Sequence, residues 1–135
     1  MFTKSFGSRL LALALVLVMG LMGCSSDATT GITGNYSQDT LKVIGDLTTV
    51  LELPPNDPSY REKQTAARDE MNSYISRYRR DERVSGLTSF TTMQTALNSL
   101  AGFYGSYGSR PVSSKLKKRL LKEFGKVERS ISRGF

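Results

Sequence analysis

The side chains that could support catalysis are few in this chain. It contains no histidine, no tryptophan and one cysteine, Cys24. A zinc site built from His or Cys ligands and a Ser-His-Asp triad are therefore both excluded. Two carboxylate pairs are present, Asp69 with Glu70 and Asp81 with Glu82, but adjacent residues on a helix point in different directions. We therefore expect no enzymatic activity, no metal site and no bound cofactor.

Cys24 instead follows an export signal. Residues 1–9 are polar and carry Lys4 and Arg9, whereas residues 10–20 are an apolar run. That run is shorter than the roughly 20 residues needed to span a bilayer, and the layout is that of a secretory signal. Residues 21–24, Leu-Met-Gly-Cys, resemble the lipobox of bacterial lipoproteins, in which a residue smaller than Met22 is commoner.

From this motif we predict that residues 1–23 are a lipoprotein signal peptide that is removed. Diacylglycerol on the Cys24 thiol and an N-acyl group on the new amino terminus would then hold the protein at a membrane surface. The alternative is an ordinary signal peptide with an incidental cysteine.

The charge of the mature chain is unevenly distributed. Without the signal, 17 basic and 12 acidic side chains remain, a net charge of +5. Residues 24–82 have a net charge of −3, and residues 83–135 have one of +8. Because an exported chain rarely meets nucleic acid, this asymmetry would instead steer a protein partner or favour an anionic surface. The alternative is a set of solvated helix faces that only keeps the protein soluble.

Four segments have the spacing of amphipathic helices, and no strand pattern competes with them. We expect residues 24–34 to be a flexible tether that begins at the lipidated cysteine, and residues 35–135 to be one domain. Short connections favour an up-down-up-down four-helix bundle, so the predicted fold is all-α. The apolar positions of the four segments are Leu41, Ile44, Leu47 and Leu51; Ala67, Met71, Tyr74, Ile75 and Tyr78; Phe90, Met93, Leu97, Leu100, Ala101 and Tyr104; and Leu116, Leu120, Phe124, Val127 and Ile131.

The expected boundaries follow from proline, glycine and capping residues. Asp57 and Pro58 should open the second helix as its cap and first helical residue, and this helix should fade around Arg83. Residues 105–111 are rich in glycine and should form a turn.

Two polar clusters are candidates for partner binding. The first is Arg77, Tyr78, Arg79, Arg80 and Asp81 at the end of the second helix. Arginine pairs with carboxylates through two hydrogen bonds and stacks on aromatic rings, although helix capping explains part of this cluster.

The second cluster is Asn98, Tyr104, Tyr107 and Arg110, around the turn after the third helix. Tyrosine and arginine are favoured interface anchors. Because successive helices of the bundle alternate in direction, Arg80 and Arg110 should lie at opposite ends. We take the first cluster as the principal docking surface and the second as a secondary contact.

Several segments of the mature chain resemble a known family. They are Gly-Asn-Tyr at 34–36, Tyr-Ile-Ser-Arg-Tyr-Arg-Arg at 74–80, Ser-Phe-Thr-Thr-Met at 89–93 and Ala-Leu-Asn-Ser-Leu-Ala-Gly at 96–102. The family is that of the cyanobacterial photosystem II assembly and repair lipoprotein, number twenty-seven of the Psb series. Phe103 departs from it, because a histidine is expected there.

The resemblance implies a right-handed four-helix bundle without enzymatic activity, lipid-anchored on the lumenal side of the thylakoid membrane. It also implies a monomer that binds photosystem II intermediates transiently, through the large lumenal loop of the smaller chlorophyll-binding inner antenna. Binding would precede the assembly of the manganese cluster and the attachment of the extrinsic subunits.

Two other functions remain open from the residues alone. One is a permanently bound structural subunit or a general envelope lipoprotein adaptor. The other is a membrane-surface binder that uses the basic fourth helix. It is weaker, because that helix must give its apolar stripe to the core.

Overall fold

The computed structural model describes residues 31–108 and 110–135. Within them there are five helices and no strand. The helices are α1 (Tyr36–Glu52), α2 (Tyr60–Tyr78), α3 (Glu82–Ser85), α4 (Thr88–Tyr107) and α5 (Ser114–Ser132). The all-α prediction is confirmed, with α3 as an additional single turn between the second and third long helices.

The four long helices pack as a closed bundle. Helix α1 lies against α2 and α5, and α4 lies against α5 and α2, while α3 packs on α4. Around the bundle axis the order of the long helices is α1, α2, α4, α5. Each of them contacts its two neighbours in this order, as an up-down-up-down bundle requires. None of the helices described is both long and apolar enough to cross a membrane.

The core contains the interior faces of all four long helices. Leu97, Leu100, Leu120 and Phe124 are each at most 1% exposed, as predicted. Burial of Leu120 and Phe124 commits the apolar stripe of α5 to the core, so this helix cannot also insert into a bilayer. The buried apolar side chains that pack together as the core cluster are Ile32, Val43, Ile44, Leu47, Val50, Ala67, Met71, Tyr74, Tyr78, Val84, Phe90, Met93, Ala96, Leu97, Leu100, Tyr104, Leu120, Phe124 and Val127.

Two predicted core positions are wrong. Leu41 is 46% exposed, and Ala101 is exposed as well. The interior face of α1 is formed by Asp39, Thr40, Val43, Ile44, Leu47 and Val50, so the predictions for Ile44 and Leu47 are confirmed. Asp39 and Thr40 are polar, so a search for apolar spacing alone missed the first turn of this face.

The second helix begins and ends differently from the prediction. Ser59 rather than Asp57 precedes the first helical residue, Tyr60. The carboxylate of Asp57 accepts hydrogen bonds from the N–H and hydroxyl of Ser59 at 2.8 and 2.6 Å, which forms a turn before the helix. At the other end, α2 ends at Tyr78, because Asp81 accepts from the N–H of Arg83 at 3.0 Å and caps the new helix α3.

The third long helix extends past the predicted turn. Gly105 lies inside α4, which ends at Tyr107. Gly108 follows with a φ of 64°, a backbone conformation that glycine adopts without steric cost.

The packed domain begins before the predicted boundary at residue 35. Ile32 is 3% exposed and belongs to the core. Residues 31–34, which the sequence assigned to the tether, are therefore part of the folded domain. The predicted signal peptide and residues 24–30 of the predicted tether lie outside the described residues.

Candidate partner-binding surfaces

Cys24, the predicted lipidation site, lies outside the described residues. The partner-binding residues predicted from the sequence all lie within them. In that part of the chain there is no group of three or more Asp, Glu, Cys or His side chains placed to hold a metal ion.

Tyr78 belongs to the core rather than to a docking surface. It is 1% exposed, with its ring centre 5.3 Å from that of Tyr36 and 5.2 Å from that of Tyr74. Its hydroxyl donates a hydrogen bond to the carboxylate of Asp39. Burial, together with the nearby Asp39 charge, raises the pKa of Tyr78, so it remains a neutral donor. The sequence-based expectation that the arginines stack on this ring at the surface is wrong.

All three arginines of the first cluster are exposed. Arg79 and Arg80 follow directly after the last residue of α2 and are exposed. Asp81 is partly buried and serves as the cap of α3, and it also pairs with Arg83 at 3.1 Å. The hydrogen bonds from Arg83 lower the pKa of the Asp81 carboxyl. Asp81 is thus a local structural residue, and the charge offered to a partner comes from Arg79 and Arg80.

Arg77 lies on the last turn of α2 and turns toward the chain that enters α1. A β-carbon added to Gly34 would be only 2.7 Å from Nη2 of Arg77. Gly34 has a φ of 93°, so glycine is required here by both backbone conformation and space. Arg77 is therefore positioned against the start of the domain.

The second cluster does not form one surface. Tyr104 is 3% exposed, and the guanidinium carbon of Arg68 lies 5.0 Å from its ring centre. Asn98 is exposed, beside a shallow cleft between α2 and α4. Arg110 is exposed too, and the adjacent Pro111 contributes to a cleft with Pro55 at the start of α2.

This location places Arg110 at the opposite end of the bundle from Arg80, as predicted. Of the four residues in the second cluster, Asn98, Tyr107 and Arg110 are exposed and can meet a partner without rearrangement, whereas Tyr104 is buried.

The sequence did not indicate two polar groups that the structure brings together. The first is centred on Asp39, which is 1% exposed and accepts from Thr33, Gly34 and Tyr78. Burial alone would raise the pKa of Asp39, but hydrogen bonds from Tyr78, Thr33 and Gly34 offset this effect and lower it. The carboxylate therefore remains ionised inside the protein.

The second group joins α1 to α2 through one lysine. Lys42 Nζ is 2.6 Å from Asp46 Oδ2 and 3.0 Å from Glu70 Oε1. Burial, and then a hydrogen bond with Asp46, raises the pKa of Glu70 from 4.5 to about 7. Lys42 and Asp46 are visible as a helical i,i+4 pair, but nothing in the sequence links them to Glu70.

Comparison with known proteins identifies the family. A family model described as Photosystem II Pbs27 matches residues 8–131. The chain belongs to this Photosystem II Pbs27 family. It is 59% identical, over 98% of both chains, to a Synechocystis protein named Photosystem II lipoprotein Psb27.

Two further similarities agree with that assignment. A Thermosynechococcus vestitus protein named Photosystem II assembly factor lipoprotein Psb27 is 45% identical over 96% of both chains. The solution structure of Psb27 from cyanobacterial photosystem II superimposes with a TM-score of 0.75 and 60% identity. The superposition covers 82% of this chain and 96% of the chain in that structure. The family resemblance predicted from the sequence segments is confirmed.

Proposed function

We propose that this chain is a non-catalytic assembly and repair factor of photosystem II. The observation that carries the proposal is membership of the Pbs27 family across residues 8–131, with relatives named as a photosystem II lipoprotein and an assembly factor. The absence of histidine from the sequence agrees with a binding role, because histidine is the commonest acid–base group in catalysis.

The proposed location is the lumenal side of the thylakoid membrane, with lipid on Cys24 as the anchor. A mature protein with three acyl chains would be held almost permanently, whereas one chain gives only marginal binding. The lipobox resemblance and the relatives named as photosystem II lipoproteins support the lipid anchor.

The proposed partner is a photosystem II intermediate, bound through the large lumenal loop of the smaller inner antenna. Binding would be transient and would end when the manganese cluster and the extrinsic subunits are in place. Arg79 and Arg80 are the best-placed docking residues, because both are exposed at a helix end. Asn98 and Arg110 are kept as a secondary contact.

A capture experiment tests the docking surface. Tagged chain would be incubated with detergent-solubilised thylakoid membranes, and bound subunits would be identified and quantified against chain concentration. Loss of a buried interfacial charge pair costs about 2–5 kcal/mol, or roughly 30-fold or more in affinity. We expect the double change Arg79→Ala and Arg80→Ala to weaken capture by about that factor without altering the helical content.

The matched control removes the same charge elsewhere. Lys118 and Lys122 are exposed on α5, so the double change Lys118→Ala and Lys122→Ala should leave capture nearly unchanged. If the arginine variant is folded and captures the antenna at full strength, docking occurs elsewhere, and Arg110 is the next residue to test. Equal weakening in both variants would indicate attraction by net charge without a defined site.

A further inference from the structure

The chain that enters α1 is fastened to one end of the bundle. Ile32 is buried in the core. The N–H and hydroxyl of Thr33 both donate to Oδ1 of Asp39 at 2.8 Å, and the N–H of Gly34 donates to Oδ2 at 2.9 Å. We call residues 31–34 the latch. Its hydrogen bonds to Asp39 fix the point at which the chain leaves the domain toward residue 24.

Asp39 also joins the latch to the neighbouring helix. The hydroxyl of Tyr78, the last residue of α2, donates to the same carboxylate. Charged hydrogen bonds of this kind are stronger than neutral ones. The four donors together allow a carboxylate to remain ionised inside the protein. One buried carboxylate therefore holds the latch to the start of α1 and to the end of α2.

Two glycines allow the latch to lie this close to the bundle. Gly31 and Gly34 have φ values of 75° and 93°. A β-carbon on Gly31 would be 2.6 Å from Cε of Lys42, and one on Gly34 would be 2.7 Å from Nη2 of Arg77. A larger residue at Gly34 would have to adopt an unfavourable backbone conformation, and it would displace the side chain of Arg77.

The latch lies at the end of the bundle where α1 begins and α2 ends. Arg79, Arg80 and Arg83 are exposed at this end, which we call the arginine end. The opposite end is about 28 Å away, because α2 has 19 residues with a rise of about 1.5 Å each. The seven residues from Cys24 to the latch can span about 25 Å at most.

The geometry points to Asp39 as a positioning residue that orients the bundle on the membrane. It holds the latch at the end of α2, so a chain anchored by lipid on Cys24 keeps its arginine end closer to the bilayer than its opposite end. A partner that docks on Arg79 and Arg80 therefore presents its carboxylates on a membrane-proximal segment of an integral membrane protein. This inference rests on the lipid anchor of the proposed function.

The test compares the distances of the two ends from a bilayer. Lipid occupies the thiol of Cys24 in the mature chain, so a cysteine introduced by Ser85→Cys or Ser106→Cys is the one site for a thiol-reactive fluorophore. Both serines are exposed, Ser85 at the arginine end and Ser106 at the opposite end. The lipidated chains would be bound to phosphatidylcholine vesicles that contain a headgroup quencher. Neutral lipid removes any orienting attraction of the basic side chains.

We expect quenching at residue 85 to exceed that at residue 106 by about twofold or more, because the sites differ by about the length of α2. Asp39→Asn replaces one of the two carboxylate oxygens that accept from the latch by an NH₂ donor. The ratio of quenching at residue 85 to quenching at residue 106 should then fall close to one. Gly34→Ala disturbs the latch while Asp39 itself is retained, and it should lower the quenching ratio too. Asp69→Asn removes an exposed carboxylate of α2 and should leave it unchanged.

Equal quenching at the two sites in the otherwise unaltered chain would overturn the orientation. A high ratio that persists in both folded latch variants would overturn the role of Asp39. If the chain does not sediment with vesicles at all, the lipid anchor itself is wrong, and the proposed membrane attachment fails with it. Circular dichroism of each variant separates loss of the latch from loss of the fold.

Discussion

Replacing Glu70 by glutamine should change how the stability of the bundle depends on pH. Glu70 is 5% exposed, and its carboxyl is 3.0 Å from Lys42 and hydrogen-bonded to Asp46. Its pKa is raised from 4.5 to about 7, chiefly by burial. The folded state therefore retains a proton that the unfolded state releases between these two pH values.

The sign of the effect follows from that difference in proton binding. Below about pH 4.5 the residue is protonated in both states, and the preference of the folded state for the protonated form contributes fully to stability. As pH rises toward 7, the unfolded state loses its proton first, so the free energy of unfolding falls. A pKa raised from 4.5 to about 7 corresponds to about 3 kcal/mol. Asp46, whose pKa is lowered, shares a hydrogen bond with Glu70 and so shares in this titration. We therefore expect the free energy of unfolding to fall by about 1–3 kcal/mol between pH 5 and 8.

Urea unfolding of residues 25–135, followed by circular dichroism at several pH values, measures this slope. The chain has no histidine, so the usual titrating group of this pH range is absent. Glu70→Gln should flatten the curve and make the variant the more stable form at pH 8. Asp69→Asn alters an exposed neighbour and should retain the slope. A flat curve for the unaltered chain, or an unchanged slope in Glu70→Gln, would refute this account of the carboxylate.

Two further predictions concern the core and the anchor. Phe124 is 1% exposed, so Phe124→Ala should cost about 3–5 kcal/mol and lower the melting temperature by more than about 10 °C. Leu41→Ala, at a 46% exposed position, should change stability by less than about 1 kcal/mol, and a shift within error for Phe124→Ala would place that ring at the surface. In cells supplied with labelled palmitate, Cys24→Ser should remain unlabelled and uncleaved by the lipoprotein peptidase. Label on the serine variant would refute the lipobox interpretation.

The helices and most of the core could be predicted because apolar spacing reports the interior face directly. Phe124 and Leu120 are examples, since α5 has an apolar stripe opposite a lysine-rich face. Helix ends were harder, because they depend on which local side chain captures a free N–H group. Asp81, for example, is predicted to belong to a docking cluster, but in the structure it caps the N-terminus of α3.

Polar residues that become buried could not be identified from the sequence. Asp39 and Thr40 are buried because partners distant in sequence satisfy them: Tyr78 donates to Asp39, and the hydroxyls of Thr40 and Tyr74 are 2.8 Å apart. Tyr78 was predicted both on the apolar face of the second helix and in the arginine cluster, and its burial confirms the first of these predictions. The family could be recognised because its segments are specific, whereas the residues that contact a partner depend on exposure, which only the fold determines.

The central proposal is that the chain binds photosystem II only while it is incomplete. The most direct measurement is the number of copies of this chain per reaction centre in purified complexes, quantified by mass spectrometry. Active complexes with the manganese cluster and extrinsic subunits would be compared with inactive complexes that lack them. We predict enrichment in the inactive complexes and far less than one copy in the active ones. Equal abundance in both would contradict the proposal and would indicate a permanent structural subunit.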